Sequence, residues 1–206
     1  MTGRATIRYL SHPQVTVDMG ANVRRWSLNA EGRARVARLA ARPGRLQGTA
    51  LVVSSDEAKA VETAAPLADA LGARHLIRPG THENDRSATG PLPRAEFEAT
   101  ADRFFAAPDV SVRGWETARD AQARIVREVE AVLRDAPGGA TGGDVLIVGH
   151  GGVGTLLWCA LSRVAIDRRH DQGHDPGLQG GGNWFAFDTI SGPPHGGWQP
   201  METLSG

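Results

Sequence analysis

Three short apolar runs, Ile7 to Leu10, Ala50 to Val53 and Val145 to Val148, are bounded by turn-forming or polar residues, as strands buried on both faces of a sheet are. Between and after them, apolar positions repeat at helical spacing. The segment NAEGRARVARLAAR starts with Asn29 as a predicted N-cap and aligns Val36, Leu39 and Ala40 on one face. SSDEAKAVETAAPLADALG opens on Ser and Asp as predicted caps and runs through Val61, Ala64, Ala65, Ala68 and Leu71. It stops at Gly72, and Pro66 predicts a kink or interruption. Residues 115–135 carry the clearest helical stripe, Ile125, Val126, Val129, Val132 and Leu133, with Arg124, Arg127, Glu128 and Glu130 turned mostly away from it. Shorter helices are expected over 93–106, with Phe97, Phe104 and Phe105 inward, and over 153–163, and WFAFD at 184–188 reads as a late strand. Alternating strands and helices predict the α/β class: a three-layer α/β/α sandwich with a largely parallel central sheet. Ligands of such sheets bind outside the carboxyl ends of the strands.

Composition narrows the function classes. The 206 residues suit one domain spanning 1–206. Lys plus Arg and Asp plus Glu both total 23, so no net charge draws the chain to nucleic acid or an anionic membrane. There is no run of about 18 apolar residues and no secretory pattern, so the expected location is the cytoplasm. Cys159 is the single cysteine, which excludes intrachain disulfides and thiolate metal clusters, and its setting, TLLWCAL, reads as core. Glycine and proline gather at 137–143, 177–183 and 191–197, which read as surface connections.

The stretch YLSHPQV, residues 9–15, raises a chemical question: a turn explains Pro13 but leaves His12 unexplained. His150 likewise ends the strand DVLIVG, and parallel strands would open both imidazoles on one sheet edge. VGHGGVGTLLWCAL passes from strand through glycines into a helix, whose free N–H groups and dipole suit an anion. Gly149, Gly151 and Gly154 formally spell a dinucleotide fingerprint. They lie in the last third of the chain without an acidic residue closing a second strand about 20 residues on, so no nucleotide cofactor is expected. Lys59, near the start of the second helix, is either a solvated lysine or a phosphate ligand. HENDRSATG places Glu83 and Arg86 in a polar loop, where they would supply a proton donor and a guanidinium fork. In HDQGHD, His170 and His174 are four residues apart beside Asp171 and Asp175. The Pro176-Gly177 that follows favours a loop over a helical metal site, and no metal is expected.

Four segments in order, YLSHP at 9–13, WSLNAEGRARVARLA at 26–40, SSDEAKAVETA at 54–64 and VGHGGVGTLL at 148–157, resemble the motifs of the histidine phosphatase superfamily, the phosphoglycerate mutase-like group. The resemblance covers nearly the whole length and implies a phosphoglycerate mutase-like fold. It also implies a metal-independent phosphoric monoester hydrolase working through a phosphohistidine on a small phosphorylated metabolite. His12 falls at the phospho-accepting histidine, His150 at the second pocket histidine, Lys59 at an arginine of the middle motif and Glu83 at the proton donor, with Gly151 continuing the last motif. Ser11 and Pro13 stand where the family has the arginine and glycine of Arg-His-Gly. With Lys59 this leaves two guanidinium forks missing, and lysine does not replace arginine's bidentate grip. Arg86, Arg24 and Arg25 are the candidates to compensate, and Ser11 borders the same phosphate site. The expected partner is a small phosphomonoester or phosphate, with a homodimer left open. A non-catalytic phospho-ligand-binding protein and a phosphomutase are the alternative readings. Phe97, Phe104, Phe105 and Trp115 are candidates for the wall over the site, although aromatics at helical spacing more often form core.

Overall fold

A computed structural model describes residues 5–135, 142–174 and 178–206. In chain order the elements are β1 (Ile7–Ser11), α1 (Ala30–Ala41), β2 (Thr49–Ser54), α2 (Ala58–Leu71), β3 (Arg74–Ile77), α3 (Arg94–Ala106), α4 (Ala118–Asp135), β4 (Asp144–Gly149), α5 (Gly151–Ser162), β5 (Asn183–Phe187) and β6 (Gln199–Pro200). They build a six-stranded sheet in the order β3-β2-β4-β1-β5-β6. The pairs β3–β2, β2–β4 and β4–β1 are parallel, whereas β5 and β6 join antiparallel.

Side chains alternate across the strands, and each face is covered. Ile7, Tyr9, Val145 and Ile147 join α4, α5 and the Phe104–Phe105 end of α3 in one apolar layer. Leu10, Leu146 and Val148 join α1, α2 and the C-terminal Met201 and Leu204 in the other. The result is an α/β/α three-layer sandwich with a mostly parallel sheet, as the alternation predicted. Burial of these layers dominates the stability, at roughly 25 cal/mol per Å² of apolar surface removed from water.

Three local expectations are corrected. The second helix runs unbroken through Pro66, because the proline lies on the exposed face, where water can serve the freed Glu62 carbonyl, while Leu67 and Ala68 pack inward. Its N-cap is Glu57, without a side-chain cap, and Ser55 and Asp56 lie before it, the Ser55 hydroxyl turned to His150 at 2.8 Å. The glycines at 180–182 are more than a surface connection. Gly181 and Gly182 hold φ of +75 and +67, Gly182 N–H donates to the His12 carbonyl at 3.0 Å, and a Cβ on Gly181 would lie 2.4 Å from that carbonyl oxygen. Buried Arg35 of α1 fixes this turn by donating to the Gly181 carbonyl at 2.9 Å and to Glu202 at 2.7 Å. Strand β3 was not legible: RHLI is four residues long and only half-buried at the sheet edge.

Candidate active site

Parallel pairing of β1 with β4 puts Ser11 opposite Gly149, and the His12 N–H continues the ladder to the Gly149 carbonyl at 2.9 Å. The two strands therefore end together and deliver His12 and His150 side by side, ring centroids 5.2 Å apart at an interplanar angle of 71°. Tyr9 locks the junction. Its hydroxyl accepts from the His150 N–H and donates to the His150 carbonyl, both at 2.9 Å, and Gly149 leaves the space it needs, since a Cβ there would meet that hydroxyl at 2.2 Å. Tyr9→Phe orphans the buried His150 N–H, while the His150 carbonyl keeps its bond from the Gly154 N–H, so the variant is expected to lower unfolding stability by about 1–3 kcal/mol in chemical denaturation.

The His12 Nδ1 lies 2.9 Å from the Pro13 carbonyl oxygen. A carbonyl only accepts, so the proton is on Nδ1 and the Nε2 lone pair is free. Pro13 performs this with its backbone alone, so the role places no demand on its side chain. Burial, with His150 and Lys59 nearby, pushes the His12 pKa down to about 3, so the ring is neutral at ordinary pH. His150 is fully buried, with Nε2 at 2.8 Å from Ser55 Oγ and 3.5 Å from Glu57 Oε1, while its Nδ1 has no partner. Burial lowers its pKa too, against the opposing pull of Glu57 and Glu83.

His12, Glu83, Arg86, Phe97, Gly151 and Asp171 are among the residues that line one cavity of about 480 Å³. The Glu83 carboxylate caps α5: Oε1 accepts from Val153 N–H at 2.9 Å and Oε2 from Gly152 N–H at 3.1 Å. Burial pushes its pKa up, but His150, Arg86 and these N–H groups outweigh that and hold it below the usual carboxylate range. Arg86 lays its guanidinium 5.0 Å from the Phe97 ring centroid and 5.7 Å from that of Trp115, and its buried Nε has no partner.

His150 is wholly buried beside Gly151 and does not itself line this cavity, nor do the remaining sequence-derived candidates. Lys59 is 3% exposed and donates to the Glu57 carboxylate and, at 2.7 Å, to the Val23 carbonyl. The Ser11 hydroxyl donates to Gln172 Oε1 at 2.6 Å and accepts from Asn183 N–H at 3.1 Å. Arg24 pairs with Asp56 at 2.6 Å, and Arg25 is exposed. Phe104 and Phe105 belong to the core, whereas Phe97 reaches the cavity wall.

Glu57, Arg124 and Gln172 carried no sequence signal that pointed to the site, and Asp171 stood out only as part of the HDQGHD metal motif. Glu57, 3% exposed, pairs with Lys59, approaches His150 and accepts from the Glu83 N–H at 3.0 Å. Arg124, expected to face away, instead donates to the Gly80 and His82 carbonyls at 2.8 and 3.0 Å and binds Glu116, which fixes the loop carrying Glu83. Gln172 holds Ser11, and Asp171 contributes a carboxyl whose pKa burial raises. Residues 168–170 and 172–174 form single turns, while Asp175, part of the rejected metal motif, lies outside the described residues. Among the described residues no three His, Cys, Asp or Glu side chains are placed to hold a metal ion together.

The family described as Histidine phosphatase superfamily (branch 1) matches residues 22–177. No curated protein matches the chain. Among solved structures, mycobacterial glucosyl-3-phosphoglycerate phosphatase complexed with VO3 is 23% identical over 96% of this chain and 97% of its own, with a TM-score of 0.70. Bacillus stearothermophilus YhfR is 21% identical over 93% and 94%, with a TM-score of 0.72. Entamoeba histolytica phosphoserine phosphatase, in complex with 3-phosphoglyceric acid, is 13% identical over 97% and 99%, with a TM-score of 0.71. At these identities the structures share the fold.

Proposed function

The chain belongs to the histidine phosphatase superfamily, and from that premise we propose that it is a metal-independent phosphoric monoester hydrolase that works through a phosphohistidine on His12. The observation that carries this reading is a neutral imidazole whose Nδ1–H is tied to the Pro13 carbonyl and whose Nε2 is unengaged, at the wall of a cavity it shares with a guanidinium and a helix N-terminus.

In the first step, Nε2 of His12 attacks phosphorus, an N–P bond forms and the P–O bond to the leaving alcohol breaks. Arg86, His150 and the N–H groups of Gly151 and Gly152 balance charge on the phosphoryl oxygens. Glu83 gives the alcohol oxygen its proton. A phosphoryl dianion arriving beside Glu83 competes for the α5 N–H groups and raises the proton affinity of the carboxylate, which turns an ionised cap into an acid. Water then attacks phosphorus, Glu83 takes its proton, and the N–P bond breaks to release phosphate and restore His12.

With Lys59 neutralised by Glu57, and Arg24 bound to Asp56, Arg86 is the guanidinium on the cavity wall. Arg86→Ala is expected to lower kcat/KM by about 100-fold, and Arg86→Lys to recover little of it, because the ammonium lacks the planar fork. Steady-state kinetics on both variants checks this. A second cavity of about 280 Å³, walled by Val17, Met19, Trp26 and Leu92, shares Arg86 and Phe97 with the first. Aryl phosphates are therefore expected to outperform polar sugar phosphates in a phosphate-release screen.

Release of phosphate from a generic aryl phosphate tests hydrolysis. Transfer of phosphate within a phosphorylated sugar acid, without release, would instead establish a phosphomutase. The withdrawal of Ser11 and Lys59 from the cavity favours one other reading, a phospho-ligand-binding protein without turnover. Tight binding of phosphate with no release from any ester would select it.

A further inference from the structure

The site is short of fixed positive charge. Lys59 is spent on Glu57 inside the protein, Glu83 is anionic at the cavity wall, and both histidines are neutral by virtue of burial. A phosphoryl dianion entering such a site needs a further cation. The His150 geometry supplies a reason to look there. Its Nε2 lies between the Ser55 hydroxyl at 2.8 Å and a Glu57 carboxylate oxygen at 3.5 Å. A lone pair on Nε2 would face the carboxylate's own lone pairs, so Nε2 carries the proton and Ser55 accepts it. The other nitrogen, Nδ1, is then a buried lone pair with no partner. A neutral ring in this tautomer offers an anion no donor and no charge; one proton on Nδ1 provides both.

We propose that phosphoryl binding loads a proton onto His150 Nδ1, so that an imidazolium stands in for a missing guanidinium, with Glu57 as the positioning residue that fixes the tautomer and balances the new charge. This rests on the reading of the cavity as a phosphoryl site and deepens it. Glu57 is suited to the task because its carboxylate touches three parts of the site. It accepts from the Glu83 N–H at 3.0 Å, pairs with Lys59 and faces His150, so ring, acid loop and helix start are held by one group. The charged or titratable groups around His150 are His12 at the end of β1, Glu57 and Lys59 before and in α2, and Glu83 and Arg86 on the loop after β3. Tyr9 binds its backbone. The two carboxylates favour the proton, while Lys59, Arg86 and burial oppose it. A bound dianion tips the balance.

The test uses sulfate, a tetrahedral dianion that does not titrate near neutral pH, so any proton taken up belongs to the protein. Calorimetric titration of the full chain in buffers of different ionisation enthalpy is expected to show uptake approaching about one proton per sulfate near pH 7.5, with Kd rising up to about tenfold per pH unit above that. A dianion also raises the proton affinity of Glu83, so the uptake that counts is the part that persists in Glu83→Gln, and adding His150→Gln to that variant should abolish it. Glu57→Gln should reduce it, Glu57→Asp should restore it, and circular dichroism confirms that each variant is folded. His12→Gln and Asp171→Asn should both retain it. Sulfate binding with no proton uptake overturns the proposal and leaves the phosphoryl site standing, as does uptake that disappears with Glu83, His12 or Asp171 and not with His150. Failure of the wild type to bind either sulfate or inorganic phosphate overturns both readings together.

Discussion

His12→Ala is expected to cut phosphate release from an aryl phosphate by about 10⁴-fold or more, the scale on which loss of a covalent nucleophile is felt. The effect should fall on kcat, because Arg86, His150 and the α5 N–H groups that would hold the phosphoryl group remain. The fold should survive, since His12 is partly exposed at the cavity rim and its backbone bonds to Gly149 and Gly182 do not involve the imidazole. Rapid quench with a labelled phosphomonoester should trap acid-labile label on His12 in the wild type and none in the variant. Because its pKa is held at about 3, far below the usual histidine value, the nucleophile's own titration should leave the rate unchanged between about pH 5 and 8. Undiminished turnover in the alanine variant would end the nucleophile assignment.

Glu57→Leu is expected to lower unfolding stability by about 3–5 kcal/mol, because it strands the Lys59 ammonium in a buried position without its counter-charge. The double variant Glu57→Leu with Lys59→Met removes both charges and should recover most of the loss, which separates an ion-pair effect from a packing defect. The wild type carries the same information in its pH dependence. Burial pushes the Glu57 pKa up, but His150, Lys59 and the hydrogen bonds from Lys59 and Glu83 pull harder and set it at about 2, below its unfolded value. The sign follows: the contribution is complete above about pH 4.5 and is lost as pH falls toward 2, in total on the order of 3 kcal/mol. Denaturant titrations from neutral to acid pH should show this slope in the wild type and a shallower one in the double variant.

The architecture was legible because its signals were periodic and local. The apolar runs that became β1, β2 and β4 mark strands buried on both faces, and the stripe through Ile125 and Val129 marks α4. His12 and His150 were found because each ends such a run, where packing does not call for an imidazole. Glu83 and Arg86 stood out as polar residues in a loop, and both reach the cavity wall. What stayed hidden depends on pairing across the fold. Lys59 reads as a cation on offer, but the preceding Glu57 takes its charge, and only the folded backbone shows both side chains turned inward. Ser11 reads as bordering the phosphate, but its hydroxyl is claimed by Gln172, 161 positions away. Arg124 reads as a solvated helix residue, yet carbonyls at Gly80 and His82 use its guanidinium as a brace, a role no spacing rule encodes.

The place of β1 in the sheet bears on how the protein comes to life. The strand that leads into His12 has β4 on one side and β5 on the other, and both are translated long after it. Until then β2 and its helices can begin to associate while the first strand waits without a neighbour, a non-local topology that slows folding and leaves bare sheet edges exposed to aggregation. A nascent chain stopped before residue 144 would contain His12 and Glu83 and yet have no means of seating either, so the cavity they line cannot assemble before β4 and the start of α5 are made.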